Sequence, residues 1–435
     1  MVNEDVQSFD IGARHKVYLD SLTYSNSAVG RIGDVVTFVK GGVAGDTVLS
    51  EITKVQKNRF EAKIVELISP SPDRVAPPCT FFQDGCGGCQ WQQIDYITQL
   101  GAKKRILNES LKRISKLTDL PDITLHPAAH TLNYRTQIRL TVDEVEPEFK
   151  FGFKQKDTHQ FVQIDHCQIT DPLINLSLSQ VIDLIRDFQI LSVKSFSLRM
   201  SKSTGEVMLI LIYAKGKKPN LKIHTEDLKN YPRINSVYVK TGERGSPIWV
   251  AGKHSITEIC EGIRYEIGVD CFFQISFSGL KTLIEITKRN AQSIQPLTTI
   301  DAHCGIGTFT LPIAKYSQRI LGIDMHRNSV NLAIKNAKQN QINNAEFQNK
   351  NLAQIEGIKA DFIILNPPRT GCWTEDLVSV TKILPSHVMY ISCNPTTLAR
   401  DLIKLKPFYK IENLDLVDLF PMTYHFETVA WLQKQ

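Results

Sequence analysis

The sequence predicts an α/β protein. A doubly wound, Rossmann-like, mostly parallel sheet lies at the carboxyl end, behind a small all-β barrel and an α+β region. Three observations predict this. Residues 13–68 alternate apolar and polar positions between glycines, residues 132–270 hold strand-like segments around one helical stretch, and from residue 271 strands and helices alternate strictly. At 435 residues, a prior of roughly 150 residues per domain allows about three domains, divided here as 1–69, 70–270 and 271–435.

The front segments KVYLDSL, DVVTFVKGG, GDTVLSEITKVQ and RFEAKIVELI read as barrel strands, followed by the proline-rich linker SPSPDRVAPPC. Between 92 and 118 the period changes: Ile97, Leu100, Leu107, Leu111 and Ile114 recur at threes and fours, as on an amphipathic helix. The middle region offers TQIRLTVDE, KFGFKQ, VKSFSLRMS and EVMLILIYA as strands and 172–187 as a helix. The last region offers the strands TTIDAHC, RILGID, ADFIILNPP, HVMYISC and KIENLDLVDLF, with HFETVAWLQ as a final antiparallel strand.

Composition narrows the class. Net charge is +6, and two basic clusters (Lys103, Lys104, Arg105, Lys112, Arg113; Lys215, Lys217, Lys218, Lys222) suit polyanionic partners or a solvated surface. The amino terminus is acidic where a signal peptide is basic, and the apolar run at 207–214 is too short for a bilayer. A cytoplasmic protein without membrane contact is expected. Nine cysteines then argue for metal or catalytic use.

"IDAHCGIGTFTLPIA" at 300–314 joins a strand ending at Asp301 to a helix through a turn bearing Gly305 and Gly307. Thr310 occupies the place of a third glycine, and RILGID ends in Asp324, an acid spaced for ribose hydroxyls. A nucleoside-type ligand such as S-adenosylmethionine fits better than a dinucleotide; a purely structural turn is the alternative. Asn366 ends FIILNPPR, where two prolines make a rigid wall, and Asn-Pro-Pro also suits methyl transfer to exocyclic amino groups.

Cys393 ends the strand after Asn366, where a thiolate can add to an electron-poor carbon. The helix amino terminus at PTTLARD is expected to lower its pKa. Amino methylation has no use for such a thiolate; methylation of pyrimidine C5 does, together with a base such as Glu427. Taken singly, Cys393 is a packing thiol and Glu427 a surface acid. Cys79, Cys86 and Cys89, with Cys167 as the distant fourth, suit a [4Fe–4S] cluster or zinc.

Together these motifs resemble the RNA uracil-C5 methyltransferase family, in its ribosomal branch, over nearly the whole chain. The resemblance lies in "GDVVTFVKGGVAGDTV", "SPSPDRVAPPC", "DAHCGIGTFTLPIA", "SCNPTTLARD" and "HFETVA". It implies a TRAM-like, OB-fold RNA-binding barrel at 1–69. It implies a central α+β iron–sulfur domain at 70–270, whose helix 92–118 packs on the catalytic domain, and an S-adenosylmethionine-dependent methyltransferase domain at 271–435. Cys393 would be the nucleophile and Glu427 the acceptor of the C5 proton. Gln274, His303, Thr308, Asp324, Asn351 and Asn366 would contact S-adenosylmethionine, and Cys79, Cys86, Cys89 and Cys167 would hold the [4Fe–4S] cluster. The implied activity is 5-methylation of a uridine in a single-stranded or loop region of 23S ribosomal RNA, by a monomer. Transfer-RNA methylation, amino-group methylation and a silent RNA-binding factor compete. The chain departs from the family pattern at the first cysteine spacing, at His303 (usually aromatic), at Thr308 and Ser276 (usually Asn) and at Asn366 (usually Asp).

Overall fold

The computed structural model describes residues 9–145, 148–155, 158, 160–217 and 221–435. The acidic amino-terminal residues 1–8 and Lys218 of the second basic cluster lie outside them. Two compact units form. One takes in the chain up to Ser110 together with Phe420–Phe426; the other is Leu111–Leu419 with Glu427–Gln435.

In the first unit the strands Arg14–Leu22, Ser27–Ile32, Val35–Lys40, Arg59–Ser69 and Thr47–Gln56, in that spatial order, close into a barrel. Alternation does the work: Val17 and Leu19 point inward, and a bulge between Leu19 and Ser21 shifts the phase so that Leu22 points inward as well. Gly30 is required where Ser27–Ile32 pairs with Arg14–Leu22, since a Cβ there would stand 2.3 Å from the Tyr18 carbonyl oxygen. Buried Asp46 ties the barrel to the following linker. It accepts the Val43 and Ser71 amides at 2.8 and 2.9 Å and the Arg74 guanidinium at 2.5 and 3.1 Å. The helix Tyr96–Ser110 completes this unit.

The second unit holds two large sheets. A seven-stranded one runs Ile248–Gly252, Ser236–Thr241, Val207–Tyr213, Val193–Met200, Gln137–Val145, Glu148–Lys154, Phe161–Gln163. Every residue of Val207–Tyr213 is buried, as a central strand covered on both faces requires. Its helix Pro172–Asp187 starts where expected: Asp171 caps the Leu173 amide at 2.9 Å and Pro172 needs no partner for a missing N–H.

The other sheet runs Ala345–Gln348, Arg319–Ile323, Thr298–Ala302, Phe362–Leu365, His387–Ser392, Glu427–Lys434, Tyr409–Val417, Ile123–His126. The first five strands are parallel, and the buried run Phe362–Leu365 is the apolar signature of such a centre. Glu427–Lys434 inserts antiparallel between His387–Ser392 and Tyr409–Val417. Ile123–His126, from far upstream, adds a parallel edge strand. Among the described residues no helix is long and apolar enough to cross a membrane.

Burial works against ionisation of Asp46, but Arg74 and the two amides outweigh it and hold its carboxyl below the ordinary 3.8. Its contribution is therefore complete above pH 3.8 and lost as the pH falls through the folded value. Asp46→Asn should destabilise the barrel by on the order of 2–3 kcal/mol at neutral pH, measured by urea unfolding, with the difference shrinking toward pH 3.

Candidate active site

The carboxyl ends of the parallel strands share one row, Gln348, Ile323, Ala302, Leu365 and Tyr390 being in register. Just beyond that row stand Asp324, His303 and Asn366, with Cys393 further along its own strand. These four of the site residues expected from the last region are thus brought to one edge, the place where open α/β sheets bind ligands.

The glycine turn is built as a cradle. Gly305 and Gly307 adopt φ of 57° and 87°, and His303 is held at 66° despite its side chain. The Asp324 carboxylate accepts the Gly305 amide at 3.0 Å and the His326 amide at 2.7 Å, pinning two loops together. Asp301 is fully buried; burial pushes its carboxyl up to about 7, against a hydrogen bond from the Thr310 hydroxyl at 2.5 Å. Among the described residues, Asp301 Oδ1, His303 Nδ1 and Asp376 Oδ2 are buried atoms without a hydrogen-bond partner, and His303 Nε2 lies 3.6 Å from Asp376 Oδ2. Orphaned polar atoms around a glycine cradle fit a nucleoside-type ligand.

The remaining expected contacts are placed variously. Gln274 is buried just ahead of the helix Phe277–Ile294, whose cap is Ser276: its hydroxyl accepts the Gly279 amide at 3.2 Å. Thr308 is buried in the cradle turn, its carbonyl accepting the Tyr265 hydroxyl at 3.1 Å. The Asn351 side chain caps a short turn by accepting the Gln354 amide at 3.1 Å.

Cys393 and Glu427 face one another. The last paired residues of their strands are Ser392 and Thr428, so positions 393 and 427 are the next opposed pair. The charge on Glu427 is felt at the Cys393 sulfur. The expected lowering of the Cys393 pKa is corrected by the structure: burial, then Glu427, push the thiol up to about 11. The helix amino terminus is already used, because Asn394 caps the Thr396 amide at 3.0 Å. What pulls the thiol back is Arg369, by charge and by a side-chain hydrogen bond. Burial likewise raises Glu427 to about 8, with Arg369 again opposing.

Arg369 and Asp376 were not singled out from the sequence. For Arg369 a signal existed: a basic residue directly after the double proline that ends the neighbouring strand. For Asp376, on the helix Thr374–Ile383, none did. The loop carrying Arg369 is tied to the helix Pro395–Leu405 and its cap: Asn394 and Thr397 donate to the Arg369 carbonyl at 3.2 and 3.3 Å, and buried Asp401 accepts the Cys372 amide at 2.8 Å and the Tyr390 hydroxyl at 2.6 Å.

The iron–sulfur expectation gains no support. Among the described residues no group of three or more His, Cys, Asp or Glu is placed to hold a metal. Cys79 opens a one-turn helix and gives its amide to Gln92 at 3.2 Å, while the Cys86 amide returns to Phe81 at 2.9 Å. Cys167 belongs to the second unit, where Asn175 brackets its backbone at 2.9 and 3.0 Å.

Comparison with known proteins points the same way as the site. The family model for tRNA (uracil-5-)-methyltransferase matches residues 95–435. An uncharacterized RNA methyltransferase of Nostoc sp. is 33% identical, covering 96% of this chain and 95% of its own. Another, of Caldanaerobacter subterraneus, is 32% identical over 98% and 99%. The fold is shared with the Pyrococcus abyssi tRNA (uracil-54, C5)-methyltransferase solved with S-adenosyl-L-homocysteine. That match has a TM-score of 0.75 and 24% identity, covering 96% of this chain and 100% of that one.

Two outcomes test the electrostatics. Glu427 keeps its proton up to about pH 8 when folded against an ordinary value of 4.5, so its contribution is present below 4.5 and lost as the pH rises through 8. Glu427→Gln should therefore melt higher than the parent, by roughly 2–4 °C at alkaline pH and by nothing at acid pH, read by thermal unfolding across a pH series. Arg369→Met should slow alkylation of Cys393 by iodoacetamide several-fold, followed by mass spectrometry of its peptide.

Proposed function

Because the chain belongs to the tRNA (uracil-5-)-methyltransferase family of RNA methyltransferases, we propose that it methylates C5 of a uridine in RNA with S-adenosylmethionine, and that Cys393 and Glu427 carry the reaction. The observation supporting this most directly is their opposed register at the open edge of the sheet. Asp324, His303, Asn366, Thr308 and Gln274 would hold the cofactor, which supplies an electrophilic methyl group. Asn351 joins them only if its cap is shared.

Uracil C5 is a poor nucleophile until C6 is attacked. Once both groups have released their protons to solvent, the Cys393 thiolate adds to C6, forming a C–S bond and breaking the C5–C6 π bond, whose electron pair moves onto C5 as an enolate. That pair forms the new C5–methyl bond while the methyl–sulfonium bond breaks. Glu427 then takes the C5 proton, the C5–C6 double bond re-forms and the C–S bond breaks, returning the thiolate. Arg369 favours the charged thiolate and carboxylate that these steps need. Neither face of the ring is open inside a helix, so the uridine must leave its stack.

The proposed substrate is 23S ribosomal RNA, which the resemblance to the ribosomal branch supports, with the barrel as a TRAM-like RNA grip. Transfer RNA is the second reading, and one observation favours it. The P. abyssi tRNA enzyme's fold spans 96% of this chain, too much to omit the barrel, so a barrel does not mark ribosomal specificity.

Labelled S-adenosylmethionine with ribosomal and transfer RNA from cells lacking the gene should yield 5-methyluridine in the ribosomal fraction. Label in tRNA alone selects the second reading. Cys393→Ala should abolish transfer; retained turnover would sink the covalent route. Glu427→Gln should complete methyl transfer once and leave RNA bonded to Cys393, visible as a slow-migrating band on a denaturing gel.

A further inference from the structure

Phe420–Phe426, the residues running directly into Glu427, fold with the amino-terminal unit and not with the sheet that Glu427 enters. Their partners are buried. Gln99, fully buried on the helix Tyr96–Ser110, accepts the Met422 amide at 3.0 Å. Its own amide donates to the Trp91 and Ile94 carbonyls at 3.0 and 2.9 Å. The Gln90 and Trp91 amides both donate to the Met422 carbonyl, at 3.1 and 3.0 Å. Lys103, also fully buried, donates to the Phe420 carbonyl at 3.2 Å, its ammonium 5.9 Å from the centre of the Trp91 ring. From the barrel, the Tyr24 hydroxyl lies 3.3 Å from His425 Nδ1, and its ring meets Tyr424 and Phe426 edge-on.

Buried side chains bonded to a loop are ordinarily just packing, and three features argue for more. Met422 sits at φ 64°, a left-handed bend that a residue with a side chain holds only when its surroundings impose it. Burying a lysine is costly, and this one donates to a main-chain carbonyl of the same bend. The bend ends at the residue that must meet a proton on the substrate, where a misplacement of about 1 Å can cost about 10²-fold. We propose that Gln99 and Lys103, seconded by Tyr24, are positioning residues that set Glu427 through the chain segment they clamp. This rests on the role given to Glu427 above.

The timing of that role supplies the test. Glu427 acts after methyl transfer, so a misplaced carboxylate leaves RNA joined to Cys393. Full-length Gln99→Leu and Lys103→Met are compared with the parent in single turnovers on RNA carrying tritium at uridine C5. Methyl incorporation, tritium release and the denaturing-gel adduct are followed, with S-adenosylhomocysteine and RNA affinities measured separately. Expected are unchanged affinities, near-normal methyl incorporation, tritium release slowed by about 10–10²-fold, and a persistent adduct. Lys103→Arg, which keeps a donor, should restore release. If either variant fails to fold, Tyr24→Phe decides, with a smaller delay of the same step. Release at the parental rate overturns the proposal, as does a fall in RNA affinity that accounts for the lost turnover. Absence of a Cys393-dependent adduct even in Glu427→Gln defeats the uridine reading itself; an adduct that persists in Glu427→Gln while Gln99→Leu and Lys103→Met resolve it at the parental rate defeats this inference alone.

Discussion

The site depends on the register between His387–Ser392 and Glu427–Lys434. Parallel strands bring their carboxyl ends to the open edge, which is how His303, Asp324, Asn366 and Cys393 arrive there. An antiparallel strand brings its amino end to the same edge, so a residue at its first position can face one just past the end of its neighbour. Glu427 does this with respect to Cys393. Because side chains alternate across a sheet, a slip of one residue would turn the carboxylate to the other face. Thr428, fully buried behind it, and Ser392 hold that register against the core.

Burial gives both groups the wrong resting charge for their proposed tasks. The thiol is held up to about 11 and the carboxyl up to about 8, so both keep their protons at neutral pH in the absence of substrate. Two adjacent anions are thereby avoided. Arg369 draws both toward ionisation, and it stands on a loop braced to the helix after Cys393 by Asp401 and Arg400. Gly371 shows how tight the brace is: a Cβ there would lie 2.4 Å from the Arg400 guanidinium.

Much of this was legible in the sequence. Period-two runs broken by glycine announced the barrel, and the stretch 172–187 read as the helix that the structure forms over Pro172–Asp187. The strand–Gly-x-Gly–helix phrase announced the cradle, whose left-handed glycines only that residue type fills cheaply. The edge strand Ile123–His126 was not legible, because four residues carry too little pattern to reveal a partner almost three hundred positions away. The helix expected at 92–118 is α-helical only over Tyr96–Ser110, then passes into a π turn as the chain changes unit.

The sequence by itself determined the order of elements, the residues at the strand ends and the family to which their motifs belong. These are local: hydrophobic period, turn chemistry and the identity of a side chain are set within a few neighbours. Only the tertiary structure decided the pairing of Cys393 with Glu427, the reach of Arg369 to both, and the upward direction of the two pKa values. Ionisation depends on how much water and which charges surround a group, and those are supplied by segments distant in sequence. The helix dipole read from PTTLARD was real as a local feature, but burial of the sulfur outweighed it.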